Sequence, residues 1–268
     1  MADPTLMDIG RKVMARIRRL RPLDDAEEVL ESVLAAYRES LRAWPWGFVL
    51  QRYRTLLPGP IDVTLSLTNG SSTFTIVTGN SPDWSLQPVV TIPGRRPMYT
   101  DGGGNFVDPW LGATGTYSAK IVHSIIPLFD SQVWAVAVTN IGPLEKISSQ
   151  SLEALDPNRS KIGRPRAFAP YTPFVEIYPA PDRDYDVDLW LTPLPPSKID
   201  PELQIAAPLV DAVMYKSMEY LLAQSHPQLV PYYNGLYTEA LRVLRDTDNR
   251  AYAWPEFHAI YETGVSTP

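Results

Sequence analysis

The sequence predicts an α+β fold: helices from both ends form a bundle, an antiparallel β barrel or sandwich is inserted between them, and an extended arm follows. Three observations support this prediction. Apolar residues recur at helical spacing near both ends, they alternate with a period of two in the middle, and no period is sustained after residue 247. We therefore expect N-terminal helices in 1–60, a β domain in 61–196, a helical hairpin in 197–247 and the arm in 248–268.

The first segment is predicted to contain two amphipathic helices. One runs from Leu6 to Leu20 and carries basic residues outside its apolar stripe. The second has an apolar stripe from Val29 to Leu41, with Asp24 or Asp25 available as its N-cap. A short helical piece is expected to follow over residues 48–57.

The middle segment shows strand periodicity. Residues 61–67 and 73–77 alternate around Asn69-Gly70, which predicts a hairpin. Further strands are expected within 88–92, 116–127 and 132–139. The glycine-rich run from Asp101 to Asn105 lacks the Lys and Ser/Thr of a phosphate-binding loop, so we interpret it as a connection between strands.

A second hairpin is predicted from Phe174–Tyr178 and Tyr185–Leu191, which are joined by a proline-rich turn. Strict alternation would place Asp186 and Asp188 on a solvated face. The four aspartates from 182 to 188 lack the Gly and Glu of a calcium-binding loop, so we interpret them as a polar surface. Two helices then follow, at about 209–224 and 233–246, separated by a break at His226-Pro227.

Composition excludes several kinds of site. The 268 residues contain no Cys, which excludes disulfides and thiolate metal sites, and the formal charge of -6 argues against general nucleic-acid binding. No apolar run reaches the roughly 20 residues of a membrane-spanning helix. The three histidines have no metal-ligand spacing, and no nucleophile motif is present, so we expect no catalytic residue, cofactor or metal.

Exposed arginines and aromatic residues are the better candidates for function. The basic run that includes Arg16 and Arg19 is either a contact for DNA phosphates or an acidic partner, or simply a solvated helix face. Trp and Tyr are enriched in protein interfaces. Further candidate interface residues lie in loops and in the arm: Trp110, Arg164, Arg166, Tyr252, Trp254 and Phe257.

Several short motifs occur in an order that resembles a known family. They are Leu41-Arg42-Ala43-Trp44, Asp83-Trp84, Ile92-Pro93-Gly94, Tyr99, and Gly163-Arg164-Pro165 before a strand that ends in Ile177-Tyr178-Pro179-Ala180-Pro181-Asp182. This order resembles the head-to-tail adaptor, or connector, proteins of tailed bacteriophages, which lie under the portal ring.

The resemblance implies a structural virion protein that is not an enzyme and is made in the host cytoplasm. It implies a homo-oligomeric ring, twelvefold, that binds the portal protein above and a tail or nozzle protein below. Genomic DNA would pass through the ring without sequence specificity, no membrane would be contacted, and the C-terminal arm would reach the portal. Two alternatives remain at this point: a carbohydrate- or host-surface-binding phage module that uses exposed aromatic rings, and a hydrolase of unknown type.

Overall fold

The computed structural model describes residues 3–18, 20, 26–101, 103–128, 131–157, 159, 161–171 and 174–251. Its α-helices are α1 (Leu6–Ile17), α2 (Ala26–Arg42), α3 (Ser149–Leu155), α4 (Val210–Leu222) and α5 (Val230–Ala251). Its strands are β1 (Gln51–Leu57), β2 (Ile61–Leu67), β3 (Phe74–Thr78), β4 (Val89–Thr91), β5 (Met98–Tyr99), β6 (Gly115–Val122), β7 (Ile125–Pro127), β8 (Ser131–Val138), β9 (Gly142–Pro143), β10 (Glu145–Lys146), β11 (Ile162–Gly163), β12 (Ala167–Pro170), β13 (Phe174–Tyr178), β14 (Ala180–Pro181) and β15 (Tyr185–Pro193).

The chain divides into two compact units. The helical unit combines residues 1–51 with residues 192–268 and contains α1, α2, α4 and α5. The β unit spans residues 52–191 and contains α3 and almost all of the strands. The predicted α+β class is thereby confirmed. The first boundary lies after residue 51 rather than 60, because residues 51–57 are a strand, and the second lies after residue 191 rather than 196.

One hydrophobic core lies within the helical unit. The Thr5 hydroxyl accepts a hydrogen bond from the Asp8 backbone N–H, and the Asp8 carboxylate accepts one from the Thr5 N–H, so a capping box starts α1. Leu6, Ile9 and Val13 then fall on one buried face. Buried residues of α2, α4 and α5 belong to the same core.

The described residues of the β unit form four sheets. Two of them have four strands, in the orders β1-β15-β8-β9 and β10-β12-β13-β7, and β11 pairs with β14 in a parallel two-stranded sheet. The largest sheet has five strands in the order β3-β2-β6-β4-β5, and all neighbouring strands in it are antiparallel. The predicted hairpin at residues 61–77 is present as β2 and β3.

The helical piece expected at residues 48–57 is wrong, because residues 51–57 form β1. Arg52 and Arg54 both reach the Asp188 carboxylate, at 2.6 Å and 2.9 Å. Two residues separated by one position lie on the same side of a strand but not of a helix. Their shared partner on β15, far away in sequence, therefore stabilises the extended conformation.

The hairpin expected at residues 174–191 is also wrong, since its two strands lie in different sheets. β13 pairs with β12 and β7, whereas β15 lies between β1 and β8. The proline-rich connection is not a tight turn, because β14 within it pairs with β11 and the Asp184 carboxylate accepts the Gly59 backbone N–H at 2.8 Å. These contacts separate the two strands.

The ends of the helices differ slightly from prediction. α1 ends at Ile17 rather than at Leu20, and α5 continues to Ala251, so the predicted arm does not begin at residue 248. Asp248 is buried, and both of its carboxylate oxygens lie 3.2 Å from the Gly47 backbone N–H, which explains the longer helix. Residues 252–268 lie outside the described residues.

Candidate interaction surfaces

The basic face of α1 is exposed. Arg11, Lys12, Arg16 and Arg18 all point away from the buried stripe of the helix, as the sequence predicts. The ion pair between Arg11 and Asp8 is weak, because its atoms lie 3.9 Å apart and both groups are largely exposed. Arg19 lies outside the described residues. The face is thus available for an acidic partner, and its role as a contact stays a prediction.

Arg164 and Arg166 flank a buried proline at the start of β12. The Arg166 backbone N–H donates to the Tyr178 carbonyl at 2.8 Å, and its carbonyl accepts the Glu145 N–H at 3.0 Å. These two bonds hold the backbone between neighbouring strands, while both guanidinium groups remain exposed. Arg164 also lines a polar cleft of about 430 Å³ together with Arg183 and Asp184. Exposure is what an interface role requires, and the role itself remains a prediction.

Trp110 is not an exposed anchor, which corrects the expectation from the sequence. Its side chain is only 3% exposed, its indole N–H donates to the Ala113 carbonyl at 3.0 Å, and its ring meets Tyr117 edge to face. A Cβ at Gly112 would lie 2.2 Å from this ring, so only glycine leaves room for it. Among the described residues of this loop, the exposed large apolar side chains are Val107 and Leu111. A loop rich in glycine can fold back and bury its aromatic residue.

Asp188 is buried as well, although alternation placed it on a solvated face. It accepts hydrogen bonds from Arg52 and Arg54, and these bonds hold the pKa of its carboxyl far below its ordinary value. Asp186, two positions earlier, is exposed as expected. Asp182 accepts the Tyr185 hydroxyl at 2.7 Å. Asp182, Asp184 and Asp188 therefore serve separate local contacts, and the four aspartates do not form one cluster.

A buried ion pair that the sequence analysis missed lies beside β13. The Arg159 guanidinium donates to the Glu176 carboxylate at 2.6 Å and 3.3 Å and to the Asp156 carbonyl at 2.6 Å, and it also contacts Glu153. Burial raises the pKa of Glu176, and the Arg159 charge opposes that rise. Burial also raises the pKa of the nearby Tyr99 hydroxyl to about 12. The sequence signal that could have revealed this pair is Glu176, a lone carboxylate inside the otherwise apolar strand β13.

A second cluster of charges lies within the helical unit. The Lys216 ammonium group lies 3.0 Å from the Glu39 carboxylate and 3.1 Å from that of Glu219, and it lies over the rings of Tyr220 and Tyr237. Burial, and then the hydrogen bond that the Tyr220 hydroxyl donates to Glu39, raise the pKa of that hydroxyl above its ordinary range. These contacts join α2, α4 and α5, so the cluster stabilises the packing of the helices.

Neither cluster forms a candidate metal site. Within the part of the chain that the structure describes, no group of three or more His, Asp and Glu side chains could hold a metal ion. His123 is fully buried, and desolvation lowers the pKa of its ring. His226 lies at the break before α5, and His258 lies outside the described residues. The arginine and lysine clusters both serve as contacts between elements.

Two exposed apolar side chains lie on one face of α5, and this pair is called the apolar strip. Tyr232 is 61% exposed and Val243 is 49% exposed. Eleven residues correspond to about three helical turns, so both side chains lie on the same face of the helix. Tyr237 and Leu241, on a different face, are buried in the core of the helical unit. The exposed strip is a candidate for contact with another protein. The candidates Tyr252, Trp254 and Phe257 cannot be placed, since they follow the last described residue.

No helix among the described residues is both long enough and apolar enough to cross a membrane. The sequence matches none of the known protein-family models. A comparison with curated proteins likewise gives no match.

Proposed function

We propose that this chain is one subunit of a head-to-tail adaptor ring in a tailed bacteriophage, connecting the portal protein to the tail or nozzle proteins. The observation that carries the proposal is the shared core of α1, α2, α4 and α5, which joins helices from both ends of the chain. We interpret this unit as a helical bundle and the inserted unit as a β barrel or sandwich. The order of the sequence motifs connects that architecture to adaptors.

The proposed ring contains twelve copies, through which genomic DNA passes. A closed ring uses two different complementary patches on each subunit. The helical unit offers two distinct exposed surfaces: the apolar strip with Tyr232 and Val243 on α5, and the basic face with Arg16 on α1. In this proposal the subunit assembles in the host cytoplasm, then resides in the neck of the virion and catalyses no reaction.

Mixing the purified chain with its cognate portal protein tests the proposal. We expect electron microscopy to show a second ring bound coaxially to the portal ring. Replacing both strip residues (Tyr232→Ser with Val243→Ser) should abolish this second ring, because an apolar contact is removed. The matched control is Leu155→Ser, which changes an exposed apolar residue on α3. Absence of any complex across salt and pH conditions would show that the chain is not an adaptor.

A deletion tests whether the C-terminal segment binds the portal protein. Removing residues 252–268 leaves α5 intact, including Asp248 and its contact with Gly47. If the segment binds the portal, the shortened chain should keep its circular dichroism spectrum but no longer form the portal complex. Undiminished binding would assign the portal contact to another surface.

The carbohydrate-binding alternative has less support. It depends on exposed aromatic rings in the β unit, yet Trp110 is buried. Tyr53 is the aromatic residue of the β unit that has more than half of its surface exposed, counting only the described residues. A single ring is a poor stacking platform, so specific glycan binding together with no portal complex would be needed to favour this alternative.

A further inference from the structure

One face of the five-stranded sheet is covered with hydroxyl groups. Residues directly opposite each other on paired strands share a face of the sheet. The register places Thr64 opposite Ser118 and Ser66 opposite both Thr116 and Thr75. These side chains are exposed or half-buried, whereas Val63, Leu65 and Leu67 of the same strand point into the core. The exposed face is therefore polar and not covered by other parts of the β unit.

Cations border this hydroxyl face at one end. Lys120 lies opposite Asp62 and Thr91, and it pairs with the Asp62 carboxylate at 3.3 Å. Arg95 and Arg96 follow the Gly94 turn and are exposed. A groove of about 700 Å³ is lined by these residues: Asp62, Thr91, Gly94, Arg95, Arg96 and Lys120. The groove has three cations and one carboxylate, so it is locally positive in a chain whose formal charge is -6.

The chemistry of this face fits phosphate groups better than a protein surface. Arg and Lys side chains and Ser and Thr hydroxyls are common donors to the phosphate oxygens of nucleic acids. Protein interfaces, in contrast, are enriched in aromatic residues and depleted in Ser and Lys. The Arg96 guanidinium has no ion-pair partner within the described part of the chain, and Arg95 lies over the Trp110 ring, 5.7 Å from its centre. Both cations are exposed, so a polyanion can reach them.

We propose that this face, called the hydroxyl face here, binds the sugar-phosphate backbone of double-stranded DNA without reading base sequence. This proposal rests on the proposed function, because an adaptor ring would place DNA beside the chain. Hydroxyl groups at regular spacing form many weak and equivalent contacts, and a few cations supply attraction. Such contacts are weak and independent of sequence, which suits DNA that must move past the protein.

Salt dependence makes the proposal quantitative. Neutralising Z phosphates gives a slope of about -0.9Z in a plot of log affinity against log salt. Two or three cations therefore predict a loss of affinity of roughly 10- to 40-fold between 50 and 200 mM salt. Removing one phosphate contact should reduce the slope by about 1. Replacing a hydroxyl should lower the affinity and leave the slope unchanged, because no charge is lost.

The experiment measures fluorescence anisotropy of a labelled 30-base-pair duplex with the full chain. Arg95→Gln with Arg96→Gln should reduce the slope by about 2, and Gln keeps part of the arginine stem near Trp110. Thr64→Val with Ser118→Ala should weaken binding at an unchanged slope. Arg42→Ala with Arg242→Ala removes two exposed arginines elsewhere and should match the natural chain.

Several results would overturn the proposal. One is an equal slope for the natural chain and for Arg95→Gln with Arg96→Gln, provided that the circular dichroism spectra agree. Another is equally tight binding of labelled polyglutamate, which would assign the face to an acidic protein. Because DNA binding is measured without the portal, a chain that binds DNA but forms no portal complex contradicts only the proposed function. A chain with the opposite behaviour contradicts only the DNA contact.

Discussion

Replacing Arg159 by methionine tests whether its buried ion pair stabilises the β unit. The Glu176 side chain is almost completely buried, and it would lose both guanidinium hydrogen bonds. Removing one partner of a buried ion pair typically costs about 3–5 kcal/mol. The variant can avoid a buried charge by protonating Glu176, whose ordinary pKa is 4.5. At about 1.4 kcal/mol per pH unit, protonation at pH 7 costs about 3.4 kcal/mol, so we expect a loss of about 3 kcal/mol.

The sign of the pH dependence follows from the same residue. A carboxyl whose pKa is raised by folding favours the folded state below its unfolded pKa, and that contribution is lost as pH rises through the folded pKa. Burial raises the pKa of Glu176, and loss of Arg159 would raise it further. The destabilisation of the variant should therefore be largest at pH 7 and shrink to about 1 kcal/mol near pH 5.

The assay is urea unfolding of the full chain followed by tryptophan fluorescence. With a denaturant slope of about 2 kcal/mol/M, the midpoint at pH 7 should fall by about 1.5 M. Arg159→Met with Glu176→Gln removes the buried charge and should recover at least half of the loss. Arg242→Met is the matched control, because Arg242 pairs with Glu239 on the surface, and its midpoint should not change measurably. The reasoning fails if Arg159→Met resembles Arg242→Met, or if its effect is the same at pH 5 and pH 7.

Three further predictions concern packing, pH and the end of α5. Gly112→Ala should destabilise the chain by about 1–3 kcal/mol, because its Cβ would overlap the Trp110 ring. Gly235→Ala should stabilise it by about 0.5–1 kcal/mol, because Gly235 lies within α5 and a Cβ there would meet no other atom. Equal thermal midpoints of the two variants would contradict this prediction. Folding lowers the pKa of His123, so its contribution to stability is present above pH 6.5 and is lost as pH falls. Between pH 7 and pH 5, the thermal midpoint should therefore drop less in His123→Leu than in the natural chain. Equal drops would refute the assignment. Asp248→Ala should lower the free energy of unfolding by about 1–3 kcal/mol, because the partly buried Gly47 backbone N–H loses its acceptor. An unchanged urea midpoint of the helical circular dichroism signal would show that the contact is dispensable.

The sequence alone determined the elements whose signals are local. Leu6, Ile9 and Val13 mark the buried face of α1, because a helix repeats every 3.6 residues whatever it packs against. Asn69-Gly70 marks the connection between β2 and β3, because the turn itself requires such residues. The exposure of Arg16 could also be predicted, because it lies off the apolar stripe of α1. That of Arg164 and Arg166 follows from the adjacent Gly163 and Pro165, which indicate a loop.

The tertiary structure decided which faces of the strands are covered and by what. Alternation along a strand shows that its two faces differ, and it cannot show whether a distant segment covers the polar one. Asp188 is buried because Arg52 and Arg54 arrive from β1, more than 130 residues earlier in the chain. Glu176 is buried because Arg159 reaches it from a preceding loop. The hydroxyl face likewise exists only because strands from separate parts of the sequence align in register, which makes a surface out of residues that no local pattern connects.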